Sequence, residues 1–235
     1  MAHHPNSPMN PIPKSEIGNR KSEISCPTYP ARPVNGGAMT EDTARPDWAY
    51  EPKYNGWRAL VHTPSGAMFN RQGERLSIQS EFEAALDTLR HADVPEWLDC
   101  EALDRRHGIG RGCLVVLDII PGSTGVTPAG CGGALFEPGT ADYRERRARL
   151  RRIGAPIMIE LPIIHQPAGN MVYYPPSYQD YEAIDIYQEL QAINTAWGAP
   201  FYEGLVGKKK TSLYPLQLRS PDQDFAFWQK HRWAF

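Results

Sequence analysis

Cysteine is scarce in this 235-residue chain: Cys26, Cys100, Cys113 and Cys131 are the full set, widely and irregularly spaced. They form no CxxC pair and have no histidines in zinc-ligand register, which argues against structural zinc. Cys100 and Cys113 fall in apolar, strand-like runs, where a thiol serves as a small core residue, so reduced cysteines are expected. Long hydrophobic runs are missing too. Nothing approaches the length of a membrane span, and the N-terminus lacks the apolar core of a secretory signal, so a cytoplasmic protein with no membrane partner is expected. Neither charge sign dominates: the formal net charge is -2, and any anionic partner must therefore meet a local basic patch. His3 and His4 are too few to hold a metal, and the chain carries no internal repeat.

What is present reads as one folded unit with an appendage. Residues 1–45 are rich in Pro, Ser, Asn and Gly without a sustained period and are expected to be a flexible N-terminal tail, leaving residues 46–235 as the domain. "RALVH" and "GAMFNRQG" flank "TPSG" and predict a hairpin. "SIQSEFEAALDTLRH" puts Ile78, Phe82, Ala85, Leu86 and Leu89 on one helical face, with Ser77 or Ser80 as the cap. "EWLDCEALD" and "GCLVVLDII" predict strands, the second nearly all apolar and so central. "PGSTGVTPAGCGGALFEPGT" is a loop on its Gly and Pro content. "ADYRERRARLRRI" predicts a basic helix whose arginines form a solvated face, or secondarily a phosphate track. "YQDYEAIDIYQELQAINTAW" predicts an amphipathic helix, and "YEGLVGKK", "LYPLQL" and "FAFWQKHRWAF" three more strands. Asp118, closing an apolar run, is expected to cap or pair locally. The pattern is α+β: two antiparallel-rich sheets with flanking helices.

The stretch "YEPKYNGWRALVH" holds Lys53, Asn55-Gly56 and Arg58. Alone, a lysine beside an Asn-Gly turn is compatible with a plain surface charge. Further along stand "FNRQG" with Arg71, "LDCEAL" with Glu101, "LVVLDII" with Leu117, "YEGLVGKK" with Glu203 and Lys208, and "FWQKHRW" with Lys230 and Arg232. In this order the segments resemble the nucleotidyltransferase motifs of the ATP-dependent polynucleotide ligases and mRNA capping enzymes. The resemblance spans residues 50–233 and implies an ATP-grasp-like ligase nucleotidyltransferase domain.

By that resemblance Lys53 is the nucleophile that accepts AMP. Arg58 and Glu101 would meet the nucleotide sugar, Lys208, Lys230 and Arg232 the phosphates, and Arg71 the nucleic-acid backbone. Leu117 would pack on the base, and Glu51 joins the nucleotide-binding set. Glu203, with Glu101, would hold the metal, Mg2+ or Mn2+. The chemistry fits these residue types: only a neutral amine attacks phosphorus, and developing charge on the phosphate needs cations or a metal nearby. The secondary reading is that Glu101 is a charge on the wet side of a strand and Glu203 a rim charge at a strand start.

Three departures from the family pattern stand out. Asn55 replaces the usual Asp, Leu117 replaces an aromatic, and the sequence stops at "HRWAF", where the family's DNA ligases continue into an OB-fold domain. The expectation is therefore an ATP-dependent DNA ligase domain without an OB-fold, sealing nicked duplex DNA, with a separate OB-fold protein or domain as a partner. RNA ligation, or a non-catalytic nucleotide- or nucleic-acid-binding relative, remains the alternative.

Overall fold

The computed structural model describes residue 24 and residues 28–103, 108–121, 140–154, 157–216, 218 and 220–233. Cys26, Cys131, most of the expected tail and nearly all of the loop expected at 121–140 lie outside the described residues.

Two sheets form the frame. One runs β1-β11-β10-β2-β9, built from Arg32–Asn35 (β1), Trp48–Tyr54 (β2), Tyr178–Gln179 (β9), Tyr202–Lys209 (β10) and Asp224–Arg232 (β11). Among the described residues of this sheet, the β1–β11 pairing is parallel and the other three are antiparallel. The other runs β4-β3-β5-β6-β8-β7, from Trp57–His62 (β3), Ala67–Phe69 (β4), Trp97–Leu103 (β5), Cys113–Ile119 (β6), Ile159–Glu160 (β7) and Val172–Tyr174 (β8). Among the described residues three α-helices flank them: Glu83–Arg90 (α1), Tyr143–Gly154 (α2) and Glu182–Trp197 (α3). The expected α+β class with two sheets and flanking helices is the one observed.

Strand alternation explains the layering. On β6, Leu114 and Val116 pack with Phe82, Leu86 and Leu89 and with Leu150 of α2, whereas Cys113 and Val115 face a second cluster containing Tyr54, Leu205 and Leu190 of α3. Both faces of β6 are covered, which is why its sequence is an unbroken apolar run. The buried thiols of Cys100 and Cys113 sit in this core as free cysteines. On β5 the same alternation sends Leu98, Cys100 and Ala102 toward the helices. Asp99 and Glu101 are left on the opposite face, toward the first sheet.

Several expectations need correction. The expected tail contributes β1: Arg32–Asn35 pair with β11, and Ala31 and Met39 are buried. A four-residue strand has too little periodicity to stand out of Pro- and Gly-rich sequence. The helix expected from Ser77 begins as a 3-10 turn at Gln79–Phe82 and becomes α-helical at Glu83, with no side-chain cap hydrogen bond from either serine. The described residues of "LYPLQL" form no strand; Leu213 makes one isolated bridge to Asp142, and Pro215 has no N–H to extend a ladder. The short strands β7, β8 and β9 were not legible by period. The solvated arginine face is also wrong for two of its members: Arg146 and Arg147 of α2 are buried, because the acids they serve lie inside.

A bulge in β10 sets the direction in which Glu203 points. Tyr202 pairs with Tyr54 and Gly204 with Lys53, so Glu203 is an extra residue on that strand. The bulge turns Glu203 to the face shared by Val206 and Lys208, whereas an unbroken ladder would put it on the other. Gly204 makes this possible with φ +130, and a Cβ there would lie 1.9 Å from the His231 carbonyl oxygen. Gly204→Ala is expected to destabilise the fold by at least ~1 kcal/mol, read by urea unfolding, because neither the backbone angle nor the space admits a side chain. An unchanged midpoint would mean that the bulge is not needed.

Candidate active site

The two sheets face each other across a cavity of about 410 Å3, within the range of small-ligand sites. Each sequence-proposed residue lines it. Glu51 and Lys53 come from β2, Arg58 from β3, Glu101 from β5, Leu117 from β6, Glu203 and Lys208 from β10, and Lys230 and Arg232 from β11, with Arg71 just past β4. Residues as far apart in sequence as Lys53 and Arg232 meet because β10 lies between β2 and β11 in the sheet.

At the centre, Lys53 Nζ lies 2.5 Å from Glu203 Oε2, and Arg232 Nη2 lies 2.6 Å from the same oxygen. One oxygen serves both cations. Gly56 donates its N–H to Glu101 Oε1 at 2.9 Å, and a Cβ at Gly56 would lie 2.6 Å from the Ala102 carbonyl oxygen, so the β2–β3 bend can approach β5 only as glycine. Burial raises the Glu101 carboxyl above its ordinary range, aided by the Glu203 charge and opposed by Lys53 and Arg58. Asn55 donates from its side chain to the Pro200 carbonyl at 3.0 Å, and its backbone N–H bonds Phe201. A carboxylate cannot make the first of these bonds, which is a structural use for asparagine at this position.

The deeper wall is an ion-pair network. Lys208 Nζ lies 2.8 Å from Glu51 Oε2, donates to the Leu117 carbonyl at 2.7 Å and sits 4.3 Å over the Trp228 ring. Glu51 accepts from Tyr143 Oη at 2.7 Å and lies 3.7 Å from Arg147. Asp118, 3.7 Å from Lys208, receives both arms of Arg146 at 2.8 and 3.1 Å. Asp118 is therefore structural, but its pairing is not the local one expected: apart from the Ile119 N–H, its partners are Arg146 of α2 and Lys208 of β10, both distant in sequence. Arg58 is gripped by both oxygens of Asp99, which also accepts from Tyr214 Oη at 2.6 Å. Burial opposes the Arg58 charge, but Asp99 outweighs it and holds the guanidinium protonated. Arg58, Lys208 and Glu51 thus line the cavity while spending their polar atoms largely on one another and on the walls.

Lys230 is different. Its amine is pushed below the ordinary lysine range by burial and by the nearby Arg232, Arg32 and Lys53 charges, and among the described residues it makes no close ion pair. Leu117 is half-buried beside the apolar cluster that includes Tyr54 and Leu205, giving the cavity an apolar wall.

Sequence reasoning missed Asp99, Trp228 and Arg32 as lining or supporting residues. For Asp99 a signal was available: it stands two places before Glu101, on the same strand face. Arg32 carried none, because it lies in a four-residue strand surrounded by Pro- and Gly-rich sequence.

No family model matches the sequence, and no curated protein matches it. Solved structures do. A mycobacterial DNA ligase D complexed with ATP and MES superposes with a TM-score of 0.54 at 16% identity, over 87% of this chain and 60% of that one. The ligase domain of M. tuberculosis LigD gives 0.55 at 17% identity, over the same 87% and 60%. A protein described as Pmar-Lig_PreS3 gives 0.50 at 14%, over 86% of this chain and 47% of that one. The chain therefore shares its fold with these structures, two of them described as a DNA ligase and a ligase domain, while spanning less than two thirds of each neighbour's length.

Proposed function

We propose that this chain is an ATP-dependent polynucleotide ligase acting on nicked duplex DNA through a lysyl-AMP intermediate on Lys53. The observation that supports it most is the bulge-aimed Glu203 holding the Lys53 amine in a cavity walled by cations. Lys53 Nζ gives a proton to Glu203 Oε2, and the freed lone pair attacks the α-phosphorus of ATP. The N–P bond forms as the P–O bond to pyrophosphate breaks, and a second proton leaves the nitrogen with the departing group. The AMP then passes to a 5'-phosphate, freeing Lys53, and a 3'-hydroxyl displaces AMP to close the strand. Lys230 and Arg232 neutralise charge developing on the phosphates, Glu101 and Arg58 bound the sugar, and Leu117 packs on the base.

Among the described residues no group of three or more His, Cys, Asp or Glu side chains gathers for a metal. Magnesium does not require one, because it takes one or two carboxylates together with substrate phosphates. Glu203 uses Oε2 for both cations, which leaves Oε1, and Glu101 lies close enough to feel the Glu203 charge, so that an ion between them would also draw the Glu101 carboxyl back to its ionised form. These two would hold the ion, which when bound supplies Lewis-acid neutralisation of the α-phosphate. Glu203→Ala is expected to slow adenylate transfer by about 10^2-fold or more and to alter its magnesium dependence, while changing folding stability by less than about 1 kcal/mol. An unchanged rate with an unchanged magnesium titration would remove Glu203 from the reaction.

The substrate is tested by sealing of nicked duplexes that carry either DNA or RNA on the 3'-hydroxyl strand. Faster joining of DNA is expected; equal or faster joining of RNA would make this an RNA ligase.

A further inference from the structure

Seven cationic side chains line the cavity against three acidic ones. Four of the cations are engaged within: Lys53 and Arg232 by Glu203, Lys208 by Glu51, and Arg58 by Asp99. Arg32, Arg71 and Lys230 remain. Arg32 Nη1 lies 3.3 Å from Asp222 Oδ1 and donates to the Asp222 carbonyl at 3.0 Å, and its Nε lies 3.3 Å from Asp224 Oδ1. Arg71 Nη2 lies 3.6 Å from that same Asp222 Oδ1. Arg32 belongs to the five-stranded sheet and Arg71 follows β4 of the six-stranded one, so a single carboxylate oxygen bridges the two sheets.

A carboxylate set between two guanidinium groups occupies the geometry that a phosphate takes up, and a phosphate brings more charge and a third oxygen. The Asp222 side chain is 72% exposed. Such pairs contribute only about 0–1 kcal/mol, so a dianion can displace it. Lys230, crowded by Arg32, Arg232 and Lys53, would also gain from an anion placed here.

We propose that Arg32 and Arg71 form a second phosphate subsite, separate from the place of the α-phosphate at Lys53, and that Asp222 is its built-in competitor. The inference rests on the nucleotide reading of the cavity. Its ligand is a phosphate group, supplied either by the outer phosphates of a nucleoside triphosphate or by the 5'-phosphate of a nucleic-acid end.

Calorimetric titration of the full chain with tripolyphosphate, and with a 5'-phosphorylated oligonucleotide against its 5'-hydroxyl counterpart, tests it. Asp222→Asn is expected to tighten one of these ligands by about 3-fold or more, and Arg32→Gln to weaken the same ligand by about 10-fold. Arg71→Gln provides a second variant should the change in β1 loosen the sheet edge. The ligand that responds identifies the source of the phosphate. No binding to wild type, no tightening in Asp222→Asn, or wild-type affinity in both arginine variants would overturn the proposal. The titration needs no adduct on Lys53, so a chain that binds these probes but never accepts AMP would sink the ligase reading and leave the subsite standing.

Discussion

Lys53→Ala is expected to reduce strand joining by about 10^4-fold or more, because losing a covalent nucleophile removes the path rather than one stabilising contact. The fold should survive. Lys53 lies at the cavity edge of β2, its ammonium is partly exposed, and its strand is held by backbone pairing to β10 and by Tyr50 and Tyr54 on the opposite face. A circular dichroism spectrum and urea midpoint near wild type, alongside lost joining, would separate a missing nucleophile from a collapsed site. Joining that persists at a tenth of the wild-type rate would show that Lys53 does not carry the AMP.

Asp118→Ala should act on the opposite balance, with a large loss of stability and a secondary loss of activity. Asp118 and Arg146 are both buried, and the carboxylate also faces Lys208. Removing one partner of a buried pair leaves an uncompensated charge and costs about 3–5 kcal/mol. Burial alone would raise the Asp118 pKa, but Arg146 and then Lys208 outweigh it and hold it below the ordinary value. Its folded pKa is therefore lower than its unfolded one, about 3.9. The stabilisation is present above that unfolded value and is lost as pH falls through the folded one. Wild-type stability should thus drop below about pH 4. The variant should show a shallower acid limb, and a parallel pH profile would place the acid sensitivity elsewhere.

The two cases also show which parts of the molecule could be read before the fold was known. That Lys53, Glu101, Glu203 and Lys230 would share one cavity was legible because each sits in a short, ordered segment that resembles a ligase motif. β10 was legible residue for residue, since "YEGLVGKK" coincides with Tyr202–Lys209. The meaning of Gly204 was not: a bulge is defined by the partner strand, and nothing in "YEGL" says that Tyr202 and Gly204 will pair with adjacent residues of β2. Likewise the charge pattern of α2 suggests a wet helix, because sequence does not reveal that Asp118 and Glu51 lie buried beneath it. Arg32 failed for a third reason. A strand of four residues pairs with the far end of the chain, and local composition carries no signal of such long-range pairing.

The central claim is that Lys53 accepts AMP, and intact mass measurement of the full chain after incubation with magnesium and ATP, GTP or NAD tests it most directly. One adenylate should appear with ATP, be absent with GTP and NAD, and be absent in Lys53→Ala. A wild-type chain that stays unmodified with ATP, or a Lys53→Ala chain that still gains the adduct, would contradict the claim.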